Sequence, residues 1–261
     1  MEKISAYIIA YNEEHKIAAA IASVRWADEI IVADSHSKDR TAAIATELGA
    51  KVVQVDFKGF GALRNSALEA CTGPWVFSLD ADERCTPEAA RELRQAVTDD
   101  RHDLFFVPRR NFFLGREIRH SGWYPNYRQP QLFRKGLMSY ELSQVHEGFV
   151  GISKRPIGHL RQPIWQLPYK NLEEVLNKVN RYSSLGATKP RQKGSTMGKA
   201  FVHAVWAFLR HYIFKRGLLD GWAGFLIAMS YFEVTFYRYA KAYELAHADE
   251  WSRQWERITE R

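Results

Sequence analysis

Trp75-Val76-Phe77-Ser78-Leu79-Asp80-Ala81-Asp82-Glu83 is the stretch on which the reading of the 261 residues turns. Five uncharged residues run straight into three carboxylates, so a buried strand is predicted to end, with no linker, on an acidic rim. Pro87 then opens a helix at the position where proline is tolerated, and that helix runs to about Val97. The same alternation extends back toward the N-terminus. Ile4 to Ala10 reads as a buried strand, followed by a helix over residues 13–24 with Asn12 as its N-cap. A second strand over 29–33 leads to a helix that begins at Ser37, reaches Leu48 and stops at Gly49. A third strand covers 51–55, and a helix follows over 61–70. Strands joined by helices of this length imply right-handed crossovers and a mainly parallel sheet covered on both faces. In such α/β sheets ligands gather at the C-terminal strand ends. Three polar clusters fall there: Tyr11-Asn12-Glu13, Asp34 to Asp39, and Asp80 to Glu83.

Beyond Asp103 the helical rhythm gives way to short apolar pieces (104–107 and 131–133) among arginines, aromatics and turn residues. A smaller, partly antiparallel second half that completes the site is expected. After Lys170 helical signals return nearly to the end, and residues 189–199, with Pro190, Gly194, Ser195 and Gly198, read as a basic linker.

A composition of 46% hydrophobic and 26% charged residues excludes a disordered chain. Cys71 and Cys85 have no paired or metal-like spacing and read as reduced thiols, which suits a reducing compartment. No secretory signal is expected, because Asn12, Glu13 and Glu14 interrupt the first apolar run. The apolar runs 200–209 and 221–232 fall short of the ~20 residues of a spanning helix. The net charge of +7 is unevenly spread: residues 154–219 hold 13 Lys/Arg against Glu173 and Glu174, a local +11. Such a segment points to a polyanionic partner: a membrane surface, a phosphorylated glycolipid or nucleic acid.

Carboxylates two apart at a strand end, Asp80 and Asp82, suit one hard divalent cation that bridges a diphosphate; the alternative is an acidic loop before the helix at Pro87. Asp34 is placed to accept from the imide of uracil or from a ribose hydroxyl, while Ser37 and Asp39 are explained by helix capping alone. In Lys58-Gly59-Phe60-Gly61-Ala62-Leu63-Arg64-Asn65 the glycines permit close backbone approach, and Lys58 and Arg64 supply charge for a diphosphate.

Taken together, Ile8-Ile9-Ala10-Tyr11-Asn12-Glu13-Glu14, Val32-Ala33-Asp34-Ser35 with Asp39 and Thr41, Arg64-Asn65, and Asp80-Ala81-Asp82-Glu83 resemble family 2 glycosyltransferases over about residues 1–150. The resemblance implies a GT-A fold, a nucleotide-sugar donor, Mg²⁺ or Mn²⁺, and inversion at the anomeric carbon. It implies that Asn12, Glu13 and Asp34 line the nucleoside pocket and that Asp82 is the principal metal ligand; Tyr11, Lys58, Arg64 and Asp80 complete the expected nucleotide-sugar site. Tyr127-Arg128, Gln131-Leu132-Phe133-Arg134 and Val145-His146-Glu147-Gly148 look like the family's acceptor-side elements. His146-Glu147-Gly148 and Arg216-Gly217-Leu218-Leu219-Asp220-Gly221-Trp222-Ala223-Gly224-Phe225 are similar to bacterial lipopolysaccharide-core β-1,4-glucosyltransferases. Glu147 is the candidate base, with a salt bridge as its structural alternative. His146 is read either as a metal or diphosphate ligand or as a core residue. The chain lacks the Gln-x-x-Arg-Trp signature of processive members, which implies transfer of a single sugar, glucose from UDP-glucose, to an inner-core or related glycolipid.

The expected organisation is a GT-A domain over 1–150, with a nucleotide-sugar half over about 1–100 and an acceptor half over about 101–150. A basic, helical, membrane-associating extension follows over 151–261. Phe201, Val205, Phe208 and Tyr212 mark an apolar helical stripe there, read either as packing on the catalytic domain or as an interfacial face beside Lys215 and Arg216. The expected setting is cytoplasmic, at an anionic membrane surface on the inner face of the cytoplasmic membrane. Two rival readings are a polyprenyl-phosphate sugar transferase and a basic nucleic-acid-binding protein. No DNA- or RNA-binding signature supports the second, so no nucleic-acid partner is expected.

Overall fold

The chain lays down β1 (Ile4–Ala10), β2 (Glu29–Asp34), β3 (Lys51–Gln54) and β4 (Trp75–Asp80), joined in turn by α1 (Ile17–Ser23), α2 (Thr41–Glu47) and α3 (Phe60–Ala70). This computed structural model describes residues 2–123, 129–142, 148–189, 192 and 194–260. The four strands are parallel, with β1 between β4 and β2 and β3 outermost. Residues of β1 alternate between two apolar clusters: Ile4, Ala6 and Ile8 pack with Ile17, Ile21, Phe77 and Leu93, whereas Tyr7 and Ile9 pack with Leu63, Ala67 and Val76. Both faces of the sheet are therefore covered, as a parallel sheet requires. The register places Ala10 beside Asp34 and Ile9 beside Asp80, so two of the strand-end carboxylates flank the end of β1.

After β4 come β5 (Glu83–Arg84) and α4 (Pro87–Ala96), whose cap is Thr86: its side chain accepts from Ala89 N at 3.1 Å. Then follow β6 (Leu104–Phe106), β7 (Arg109–Phe113), β8 (Arg116–Ile118), β9 (Leu132–Arg134), β10 (Met138–Tyr140), β11 (Phe149–Gly151), β12 (Gly158–His159) and β13 (Ile164–Gln166). β9 inserts antiparallel between β4 and β6, and β12 closes the seven-stranded sheet beside β6. The expected partly antiparallel second half is present.

Two helices begin later than the sequence predicts. Asn12 does not cap α1: it adopts φ 54°, its N–H donates to Ser37 Oγ and its Oδ1 accepts from Lys38 N, each at 2.8 Å. Asparagine tolerates this left-handed conformation, so it ties two strand ends together and the helix opens at Ile17. Likewise Asp39 accepts from Thr41 N at 3.0 Å, and α2 begins at Thr41 instead of Ser37.

The chain divides into two compact units, residues 1–111 with 125–168 and residues 112–124 with 169–261. The second is helical: α5 (Leu172–Ala187), α6 (Met197–Leu209), a π-helical turn (Arg210–Phe214), a 3-10 turn (Gly217–Asp220), α7 (Trp222–Ala246) and α8 (Ala248–Thr259). Its core joins Phe113 and Ile118 to Val175, Ala223 and Ile227. Asp220, buried, accepts from Arg119 N, His120 N and Ser121 Oγ. Gly224 lies so close to the preceding turn that a Cβ there would fall 1.8 Å from the Gly217 carbonyl oxygen. Much of the Arg216–Phe225 sequence is thus explained by the closure of this turn. Among the described residues, no helix is long and apolar enough to cross a membrane.

Candidate active site

β4 delivers Asp80 at its last position, and the chain turns at once through Ala81 and Asp82 into Glu83. Glu83 is fully buried beneath that turn. Its carboxylate accepts from Asp80 N at 3.0 Å, from Gln131 Nε2 at 3.2 Å and from Arg109 Nε at 2.5 Å. Burial pushes the Glu83 carboxyl up to about 7; Arg109 opposes the rise, and the charges of Asp80 and Asp82 add to it. The turn is pinned from the other side by Leu167 N, which donates to the Asp82 carbonyl at 2.8 Å, and by Arg84, which donates to the carbonyls of Ala81, Glu83 and Lys16. The acidic turn is held on a rigid base, as a ligand site requires.

Arg64, expected to face a diphosphate, is buried and donates to Asp80 Oδ1 at 2.7 Å and to Ser78 Oγ at 3.3 Å. Its guanidinium also lies 5.6 Å from the ring centroid of Tyr140. Of the two cations picked out in that segment, Lys58 is the exposed one, next to Gly59 at the start of α3. Tyr140 is fixed in turn by paired bonds with Asn65, 2.9 Å in each direction, and by the Tyr7 hydroxyl at 2.7 Å. Burial raises the pKa of both tyrosines.

On the other side of β1, Asp34 is buried and its carboxylate accepts from Ser37 N at 3.0 Å and from the Ser37 hydroxyl. It therefore shapes the 34–41 turn, although a carboxylate has lone pairs for further donors. Glu13 N donates to Thr41 Oγ1 at 2.7 Å, and the Glu13 carboxylate lies 3.3 Å from Lys16. Tyr11 is exposed. Tyr11, Asn12, Glu13, Asp34 and Asp80 are thus gathered at the ends of three adjacent strands, with Asp82 two residues further on. His146, Glu147, Tyr127 and Arg128 lie outside the described residues.

Arg109 and Gln131 were not singled out from sequence in this role, and Glu83 was noted only as the end of a motif. Arg109 sits on β7 and reaches Glu83 only because β13 pairs with both β5 and β7. No local pattern announces that pairing. Arg109→Gln is expected to cost ~3–5 kcal/mol of stability at pH 7.5, the usual penalty for leaving one partner of a buried ion pair uncompensated. Because the folded pKa of Glu83 is raised, the folded state holds the proton more tightly than the unfolded one. Its protonation supports stability below the ordinary carboxylate range, and that support is lost as pH rises through about 7. The penalty of the substitution should therefore shrink at pH 5, as read by urea unfolding of both proteins in EDTA at the two pH values. An equal penalty at both would show that Arg109 does not serve to balance the Glu83 charge.

Among the described residues, no group of three or more His, Cys, Asp or Glu gathers to hold a metal unaided. Asp80 and Asp82 nevertheless suit a Mg²⁺-like ion, which commonly takes one or two carboxylates and completes its shell with phosphate oxygens and water. Their combined charge, felt by Glu83 as a raised pKa, is what a cation there would relieve.

Residues 5–161 match the family model for glycosyl transferase family 2. The chain is 31% identical to the lipopolysaccharide core biosynthesis glycosyltransferase LpsC of Rhizobium meliloti, over 92% of each chain. It is 29% identical to an uncharacterized glycosyltransferase of Rickettsia felis, over 94% of this chain and 90% of the other. Among solved structures, S. aureus TarS 1–349 in complex with UDP-GlcNAc aligns with a TM-score of 0.52, over 94% of this chain and 92% of that one. At 16% identity that is a likeness of fold.

Proposed function

Since the chain belongs to glycosyl transferase family 2, we propose that it moves a single glucose from UDP-glucose onto a lipopolysaccharide inner-core or related glycolipid acceptor, with inversion. The observation that carries the reading is the Asp80-Ala81-Asp82 turn, set rigidly at the end of β4 on the same rim as Asp34. The name of LpsC supports the acceptor class. Tyr11, Asn12, Glu13 and Asp34 take the nucleoside; Lys58 and Arg64 favour the diphosphate, Arg64 by holding Asp80 in place.

In the transfer, an acceptor hydroxyl oxygen bonds to the anomeric carbon while the bond from that carbon to the diphosphate oxygen breaks. The electron pair leaves with UDP, and the hydroxyl proton passes to Glu147. Bound Mg²⁺ or Mn²⁺, held by Asp82 with Asp80 and with His146 as a further candidate ligand, supplies positive charge for the departing diphosphate. A glycolipid acceptor places the work at the inner face of the cytoplasmic membrane. Nucleic acid has no part in this reading.

A panel of nucleotide sugars, each with Mn²⁺ or with EDTA, tests it. UDP-glucose at about a hundred times its Kd should stabilise the protein by ~2.7 kcal/mol, a rise of about 5–10 °C in Tm. It should also be hydrolysed slowly with Mn²⁺ and not with EDTA. Preference for another donor would replace glucose in this reading. Stabilisation and turnover that ignore EDTA would remove the metal from it.

A further inference from the structure

We propose that α6, the two short turns after it and the first turn of α7 form a rigid seat that lies on, without crossing, an anionic lipid surface. The need for such a seat rests on the glycolipid reading above, but its residues are separate from the strand-end rim and are argued on their own.

α6 is apolar on two faces. The inward line of α6 is Ala200 and Ala204, both fully buried; the stripe visible in the sequence flanks it, with Phe208 and Tyr212 against Phe225 of α7 at 5.8 and 5.9 Å and Phe201, itself exposed, 6.4 Å from Phe232. One residue further round, Val202, Trp206, Leu209 and Ile213 repeat the same 4-3-4 spacing and are 37–65% exposed. Phe214, more exposed still, leans on Trp206 at 5.5 Å. Leu218, Leu219 and Trp222 continue the exposed apolar run through the 3-10 turn into α7. Single exposed apolar residues are ordinary, whereas a run of this size marks an interaction surface. With 13 residues, α6 is about 20 Å long and cannot span a bilayer. That leaves the interfacial layer, where tryptophan is favoured.

Charge selects the occupant. From Met197 to Phe232 the basic residues are Lys199, Arg210, Lys215 and Arg216, all exposed. The one acid in that span, Asp220, is buried and bonded to the 119–121 turn. The apolar surface therefore carries exposed cations and no exposed carboxylate, which complements anionic headgroups. A second copy of this chain would set like charge against like. The seat is also stiff: the Asp220 bonds, the Gly217–Gly224 approach and the stacking of His211 on Tyr231 at 3.5 Å fix the turns that present it.

Flotation of the full chain with vesicles of phosphatidylcholine and phosphatidylglycerol (7:3), without nucleotide or metal, tests the proposal. Binding should be strong in 50 mM salt, weaker but present in 500 mM salt, and slight on phosphatidylcholine alone. Arg210→Gln with Lys215→Gln should weaken partition about thirtyfold, roughly fivefold for each ~1 kcal/mol cation. Trp206→Ser with Leu219→Ser should weaken it by at least as much and remove the residue that survives high salt. All four sites are exposed or half-exposed, so Tm should change little, and UDP-glucose hydrolysis in solution should persist in both variants. The two pairs give independent readings should either variant misfold. A full chain that fails to float with the charged vesicles overturns the proposal, as does flotation indifferent to both pairs. Self-association abolished by the Trp206→Ser pair would assign the surface to a second copy, and equal affinity for duplex DNA would assign it to nucleic acid. Loss of flotation with hydrolysis intact, or the reverse, separates this seat from the catalytic reading.

Discussion

Asp82→Asn is expected to abolish sugar transfer and most metal-dependent UDP binding. Asp80 is already engaged by Arg64 at 2.7 Å, so the charge it brings to a cation is partly offset. In the proposed reading Asp82 is the principal ligand, on a backbone pinned at its carbonyl by Leu167. Asparagine keeps the size and removes the charge. If a bound cation supplies several kcal/mol of charge stabilisation to the leaving diphosphate, its loss corresponds to about a thousandfold or more in rate. The fold supplies an internal control. The Asp82 charge is one cause of the raised pKa of buried Glu83. Removing it should make Glu83 easier to ionise and leave the protein at least as stable at neutral pH. A dead enzyme with undiminished stability is therefore the expected pair of results. Calorimetry with UDP and Mn²⁺, single-turnover transfer and urea unfolding provide the three readings. Unchanged Mn²⁺-dependent affinity would take Asp82 out of the site.

The rim was legible in the sequence because strand and chemistry are contiguous there: apolar runs end directly on Asp34 and Asp80, and parallel pairing brings those ends together. Helix starts were less legible. Asn12 and Asp39 are good cap residues by type, but in the folded chain they bond across to a neighbouring loop or to their own turn, and α1 and α2 begin about four residues later. Glu83, Arg109 and Gln131 illustrate a different limit. They lie in separate strands, and only the sheet turns three ordinary polar residues into one buried network. The extension shows a third. Two apolar stripes one residue apart share the same period, so periodicity alone does not say which one packs inward. The burial of Ala200 and Ala204, with Phe208 against Phe225 of α7, does, while Phe201 stays exposed.

Glu147→Gln is expected to lower turnover by ~10²–10⁴, the usual worth of a general base, while donor affinity stays intact. Glu147 belongs to the segment joining β10 to β11, whose described ends are well anchored. Tyr140 closes β10 with bonds to Asn65 and Tyr7 and lies beside Arg64, the residue that holds Asp80. Glu141 N donates to the Gly148 carbonyl at 3.0 Å. The described residues on either side are thus held together, and Tyr140 is bonded to Asn65 and Tyr7. Glutamine keeps the shape of glutamate and cannot take a proton. His146→Ala should act differently: if the imidazole is a ligand, the loss appears in donor or metal affinity and not in the chemical step alone. Donor affinity and single-turnover transfer, measured side by side for both folded variants, distinguish a base from a ligand. Near-parental transfer by the Glu147→Gln protein would move the role to another carboxylate. Glu141 is then the first to test, because its carboxylate is exposed and lies over Gly148, where an added Cβ would fall 2.5 Å from its Oε2. The pair Glu141→Gln and Glu147→Gln therefore assigns the proton to one carboxylate of this segment or removes it from both.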